Sequence, residues 1–188
     1  MRDSPALIAE VKTASPFGWK ADKAWEELFA IAEAAGDIIS IHTDLRWEGS
    51  FELVAKARAL TEKLILAKGI HATDDLIQKA FEAGADYALV VGRIPDVSAD
   101  MMKKLIIEPY TLEELKAIPT HMKALWNSRD LKTGGIKKET FTQARALFTG
   151  WLCQASNIRT IADVNENADA VLVGTYLEEF VRSLKGKL

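Results

Sequence analysis

The chain has 188 residues, 48% hydrophobic and 27% charged, with 24 basic against 27 acidic side chains and a formal net charge of −3. That supplies one sizeable core and predicts a single domain over residues 1–188, while the scattered basic residues give no electrostatic footprint for nucleic acid. No run is long enough to span a bilayer, and Met1-Arg2-Asp3-Ser4-Pro5 lacks the regions of a signal peptide, so a cytoplasmic location with no membrane partner is the expectation.

From the amino end, residues 6–12 read as a strand and residues 22–34 as an amphipathic helix closed by Gly36. Residues 38–41 are the second strand. A helix follows from Ser50, which is placed to cap free amides, to about Thr61, with Phe51, Val54, Ala57 and Arg58 at helical spacing. The third strand, 64–67, ends at Lys68; Thr73-Asp74-Asp75 opens a helix through Phe81 to Gly84; residues 85–91 are the fourth strand. Between Gly92 and Lys104 there is room for only about two helical turns. The fifth strand, 105–108, leads to Thr111 and Glu114 at capping-box spacing, and Pro119 cuts that helix short. Strands at 123–127, 150–154 and 169–173, helices at 138–148 and 160–165, and a last helix from Tyr176 complete the series. Eight alternating units predict an α/β fold, a (β/α)8 TIM barrel, with shortened or missing outer helices in the fourth, fifth and seventh units. Apolar strand surface left uncovered there would favour self-association, as in a homodimer, with no interface specified.

Five apolar runs stop on residues able to do chemistry: residues 7–12 at Glu10 and Lys12, 64–68 at Lys68, 105–108 at Glu108, 124–127 at Asn127, and 171–174 at Gly174. In a parallel barrel the carboxyl ends of the strands converge on one face, where ligands bind, so the series points to an enzyme. Singly, Lys12 and Lys68 read as lysines snorkelling over strand ends; their coincidence with Glu108 and Asn127 favours a site. Glu10, inside an apolar run, needs a partner, and a structural salt bridge with Lys12 or Lys68 competes with catalysis. Gly174 either admits an anion to the backbone or simply ends a strand. Trp47, in the loop after the second strand, suits a pocket wall, whereas Trp25 has helical core spacing. The single cysteine, Cys153, reads as a buried strand residue, and His42, His71 and His121 share no spacing and receive no role.

The segment Ile8-Ala9-Glu10-Val11-Lys12-Thr13-Ala14-Ser15-Pro16 resembles the first-strand motif of the indole-3-glycerol phosphate synthase family. Ile41-His42-Thr43-Asp44 with Gly49-Ser50-Phe51-Glu52, Leu66-Ala67-Lys68, Glu82-Ala83-Gly84-Ala85-Asp86, Ile107-Glu108, Asn127-Ser128-Arg129-Asp130-Leu131-Lys132-Thr133 and Ala168-Asp169-Ala170-Val171-Leu172-Val173-Gly174 follow in the family's order. The resemblance spans nearly the whole chain. It implies a lyase of tryptophan biosynthesis that closes the pentose chain of 1-(2-carboxyphenylamino)-1-deoxyribulose 5-phosphate onto its ring and loses carbon dioxide and water, with no cofactor or metal. The implied partner is thus a phosphorylated small molecule.

By the same resemblance Lys68 is the acid on the ketose oxygen, and Glu108 works with it in the dehydration. Glu10 and Lys12 form a catalytic first-strand pair, with Lys12 also touching phosphate. Asn127, Arg129 and Ser15 hold the substrate, the guanidinium suiting a carboxylate, and Trp47, from its place in the loop, joins them as a substrate-binding wall. Ser156, Asn157, Gly174 and Thr175 join Lys12 around the phosphate, between the seventh and eighth units.

The chain also departs from the pattern. Ala155-Ser156-Asn157-Ile158 stands where the family has Glu-Ser-Gly-Ile, Gly69-Ile70 where Asp-Phe follows the lysine, and Phe17 where a small polar residue is usual. One residue is lost around Trp47, and the family's extra amino-terminal helix is expected to be absent. A diverged phosphate-binding barrel with weak or no synthase activity therefore stays open, as does a related phosphosugar isomerase, although the cysteine and aspartate that the isomerase needs are not in the expected places.

Overall fold

An unbroken apolar run is stable as a strand only when both of its faces are covered, and a closed parallel barrel with outer helices provides that cover. In a computed structural model of the protein, which describes residues 4–185, eight such runs form parallel strands. They are β1 (Ala6–Val11), β2 (Ile38–His42), β3 (Leu64–Lys68), β4 (Tyr87–Val91), β5 (Leu105–Glu108), β6 (Lys123–Asn127), β7 (Leu152–Ala155) and β8 (Ala170–Val173). Each pairs with the next, and β8 returns to β1 through the register Ala6↔Ala170 to Ala9↔Val173. The barrel edge that would otherwise stay unpaired is thereby removed.

Successive strand side chains alternate between the barrel interior and the outer layer. Ile8, Leu66, Leu89, Ile106, Leu125, Cys153 and Leu172 pack together inside. Ala9, Ile65, Val90, Ile107, Trp126 and Val171 pack in the outer layer with helical residues such as Phe29, Ile77 and Phe180. Two residues beyond each interior position lie Glu10, Lys68, Val91, Glu108, Asn127, Ala155 and Gly174 in the same phase, so the interior core continues directly into the site.

The outer helices are α1 (Trp25–Ala35), α2 (Phe51–Arg58), α3 (Asp74–Glu82), α4 (Ala99–Met102), α5 (Leu112–Ala117), α6 (Phe141–Leu147) and α7 (Leu177–Lys185). The trimming falls where the sequence places it: α4 has four residues, α5 six, and the seventh unit only a 3-10 turn, Ile161–Asp163, in place of the helix expected over 160–165. The predicted boundaries shift for local reasons. Helix α6 starts at Phe141 rather than near 138 because Thr140 caps it, its hydroxyl accepting from Gln143 N at 3.3 Å while the Gln143 side chain accepts from Thr140 N at 2.8 Å. At α5 the box is only half made: Thr111 Oγ1 accepts from Glu114 N, but the Glu114 carboxylate takes Tyr110 N instead.

Three aspartates close the lower rim. Asp37, Asp86 and Asp169 each precede a strand and accept the amide N–H at the start of the neighbouring strand, from Leu7, Ile65 and Leu152 respectively, at 2.8–2.9 Å. Those amides would otherwise be orphaned. The trimmed units do not leave the strand surface bare that the sequence suggested. Ala88, Val90, Leu105 and Ile107 are all buried, because Phe81, Met101, Met102 and Leu115 fold over the gap. Among the described residues no helix is long and apolar enough to cross a membrane.

Helix α7 seals the barrel seam through Leu177 and Phe180, the latter only 2% exposed. Phe180→Ala is expected to destabilise the fold by roughly 3–5 kcal/mol, the usual range for a buried aromatic cut back to alanine, measured by urea unfolding with the native circular dichroism unchanged.

Candidate active site

At the carboxyl ends of the strands the interior becomes polar. Lys68 Nζ lies 2.6 Å from Glu10 Oε1, and His42 Nε2 lies 2.6 Å from the same oxygen. The other Glu10 oxygen points toward Gly174, where a Cβ would sit 1.8 Å from Oε2. Gly174 is therefore a glycine because the carboxylate of the adjoining strand occupies the space of a side chain.

Opposite this cluster Glu108 accepts from Asn127 Nδ2 at 2.8 Å through Oε1. Asn127 Oδ1 in turn accepts from Ser156 Oγ at 2.7 Å and Arg129 N at 3.0 Å, which fixes the amide so that its NH2 faces the glutamate. The Arg129 guanidinium is tethered to Gly134 O at 2.8 Å. Lys12 Nζ donates to Thr175 Oγ1 at 3.1 Å. Beside it, Ser156 and Asn157 hold positive φ of 68° and 57°, and Asn157 Nδ2 donates to Ser128 Oγ, pinning the two loops together. Helix α7 begins just after Thr175, with its dipole positive toward this corner.

Burial treats the two glutamates differently. For Glu10 burial alone would raise the pKa, but Lys68, His42 and Lys12 outweigh it and hold the carboxyl well below the usual range. For Glu108 burial dominates, and Lys68 and Asn127 offset it only in part, so its pKa is raised. Burial lowers Lys12, with further repulsion from Lys68 and Arg129, against the pull of Glu10. Two carboxyl groups in one cavity are thus pushed in opposite directions by their environments.

Every residue that the sequence named for the site lines this cavity: Glu10, Lys12, Ser15, Trp47, Lys68, Glu108, Asn127, Arg129, Ser156, Asn157, Gly174 and Thr175. One lining residue given no role in the sequence reading is His42. The three histidines share no spacing, but the β2–β3 register sets His42 level with Lys68, and both point inward. Phe17 also lines the mouth and lies across Gly134, where a Cβ would meet its ring at 2.4 Å. The Gly69 departure has a steric cause, since a Cβ there would lie 2.3 Å from Thr43 Oγ1, a hydroxyl that also contacts His71 Nε2 at 3.0 Å. Cys153 is buried in the barrel interior, where burial raises its thiol pKa. Among the described residues no group of three His, Cys, Asp or Glu is arranged to hold a metal.

A family model described as indole-3-glycerol phosphate synthase matches residues 1–182. The chain belongs to the indole-3-glycerol phosphate synthase family. Among curated relatives, the indole-3-glycerol phosphate synthase of Acaryochloris marina (strain MBIC 11017) is 31% identical over 94% of this chain and 67% of its own length. That of Prochlorococcus marinus (strain MIT 9515) is 31% identical over 69% of this chain, which spans 49%, about half, of that relative. Solved structures share the barrel at lower identity. A 3-hexulose-6-phosphate synthase superposes with a TM-score of 0.65 at 15% identity, covering 95% of this chain and 99% of its own. KGPDC from Streptococcus mutans gives 0.62 at 14%, covering 97% and 96%.

The raised Glu108 has a consequence for stability. Folding favours its protonated form, so its contribution is fully present below the unfolded carboxylate pKa and is lost as pH rises through the folded value. Glu108→Gln keeps an acceptor for Asn127 and removes the buried charge. It is expected to be more stable than the parent at pH 7, with the advantage shrinking to nothing below about pH 4, where the unfolded carboxyl is also protonated; urea unfolding at both pH values measures this.

Proposed function

We propose that the protein is an indole-3-glycerol phosphate synthase acting on 1-(2-carboxyphenylamino)-1-deoxyribulose 5-phosphate. The observation that carries the reading is the single cavity in which the Lys68 ammonium is paired with an ionised Glu10 and faces Glu108, a carboxyl pushed toward its protonated form.

The phosphate is assigned to the corner formed by Lys12, Thr175, Ser156, Asn157 and Gly174, where a cation, hydroxyls and a side-chain amide adjoin the start of α7. The aromatic ring lies against Trp47 and Phe17, with its carboxylate toward Arg129. Lys68 gives a proton to the ketose oxygen as the carboxyl-bearing ring carbon attacks the carbonyl carbon. The ring then expels carbon dioxide, and the electron pair of the broken bond restores aromaticity. Glu108 protonates the resulting hydroxyl, which leaves as water, while the neighbouring methylene returns a proton to the neutral Lys68 amine. The reaction thus consumes one proton, replaced on Glu108 from solvent. Ser15 and Asn127 complete the wall, Asn127 by holding Glu108 in place.

A barrel that binds a phosphorylated ligand with little or no turnover is the second reading, favoured by Ala155 at the position of the family's carboxylate. Indole fluorescence with the purified chain and the proposed substrate separates the two. The parent is expected to turn over, and Lys68→Ala to lose about 10²–10⁴-fold in kcat, the usual worth of a positioned acid, while retaining affinity for inorganic phosphate. A folded parent without turnover overturns the synthase.

A further inference from the structure

His42 is the ionisable group of the cavity that the proposed chemistry leaves unused. Its ring stacks on Trp47, with centroids 5.6 Å apart and planes 5° from parallel. The backbone behind it is pinned by Gly49, where a Cβ would lie 2.5 Å from the His42 carbonyl. The side chain is only 6% exposed, and Nε2 shares Glu10 Oε1 with Lys68. Glu10 from β1, Lys12 just past its end, Lys68 from β3 and Asp44 from the turn after β2 are the charged groups that act on it.

Burial lowers the pKa of the imidazole, with Lys68 and Lys12 adding to this and Glu10 opposing it. A neutral imidazole carries one proton. Neither ring nitrogen makes an aligned hydrogen bond among the described residues, but Nε2 lies 2.6 Å from a carboxylate oxygen. A bare Nε2 there would set lone pair against lone pair, so the proton belongs on Nε2, and a turn of the ring brings it in line to donate.

The consequence appears when Lys68 acts as an acid. Once its ammonium becomes an amine, Glu10, with its side chain 3% exposed, loses the cation paired with it and keeps only Lys12 besides the imidazole, and a poorly compensated buried carboxylate is costly. We propose that His42 is a positioning residue that donates Nε2–H to Glu10 and holds the carboxylate in place during the interval in which Lys68 has given up its proton. This rests on the synthase reading of the cavity.

The test has two arms. In steady-state kinetics, His42→Leu is expected to lower kcat about tenfold with KM changed less than about twofold, and to move the acid limb of the kcat profile to higher pH; His42→Gln, which keeps an N–H donor, restores most of the rate. Equal kcat in the leucine variant and the parent overturns the proposal, as does a glutamine variant as slow as the leucine one. The second arm needs no turnover. Lys68→Met imitates the loss of the lysine's charge, and the His42 ring resonance, assigned by its absence in His42→Gln, is expected to titrate at higher pH in that variant than in the parent. An unchanged titration overturns the His42–Glu10 coupling. If the parent fails to make indole, the synthase reading fails while the titration still decides the coupling. If His42→Leu does not fold, the glutamine variant and the titration decide instead.

Discussion

Closure of β8 onto β1 sets the geometry on which the site depends. The register that pairs Ala9 with Val173 carries Gly174 alongside Glu10, and the missing Cβ leaves the space in which the carboxylate sits. From there Glu10 reaches Lys68 two strands away and His42 between them, so one carboxylate ties β1, β2 and β3 together at the rim. A side chain at residue 174 would displace the carboxylate, and Lys68 and His42 would lose their common partner.

The electrostatics follow from that tie. Taking a carboxylate out of water is unfavourable unless cations or donors replace the lost solvent, and Glu10 has three such groups nearby. Around Glu108 the charge of Lys68 and the Asn127 amide offset burial only in part, so burial prevails. Folding therefore spends stability to keep a carboxyl group near protonation, a pattern common where a side chain must give up a proton. The Asn127 relay to Ser156 and Arg129 makes that arrangement specific, because the same amide that faces Glu108 also holds the β6 and β7 loops.

The outer layer tolerates shortening because few of its helices touch the site. A barrel strand needs its outward face covered, and a short helix with large side chains does this as well as a long one, as Met101, Met102 and Leu115 do beside β4 and β5. The loops at the carboxyl ends line the cavity, consistent with the division in this fold between a stability face and a functional face.

Much of this was legible in the chain. Apolar runs of strand length mark the eight strands, and the residues that end them, Glu10, Lys68, Glu108, Asn127 and Gly174, are the ones that line the cavity, because alternation keeps strand-end positions in phase with the interior core. Proline positions and short spacings likewise foretold the trimmed fourth, fifth and seventh units. Helix ends were less legible, since Thr140 and Glu114 choose their partners by competition between nearby amides that spacing does not resolve. The local chain determined which groups would stand at the rim. Only the tertiary structure decided their protonation tendencies, the duty of Gly174 and the place of His42, because each depends on register between strands far apart in sequence and on burial, which no single segment contains.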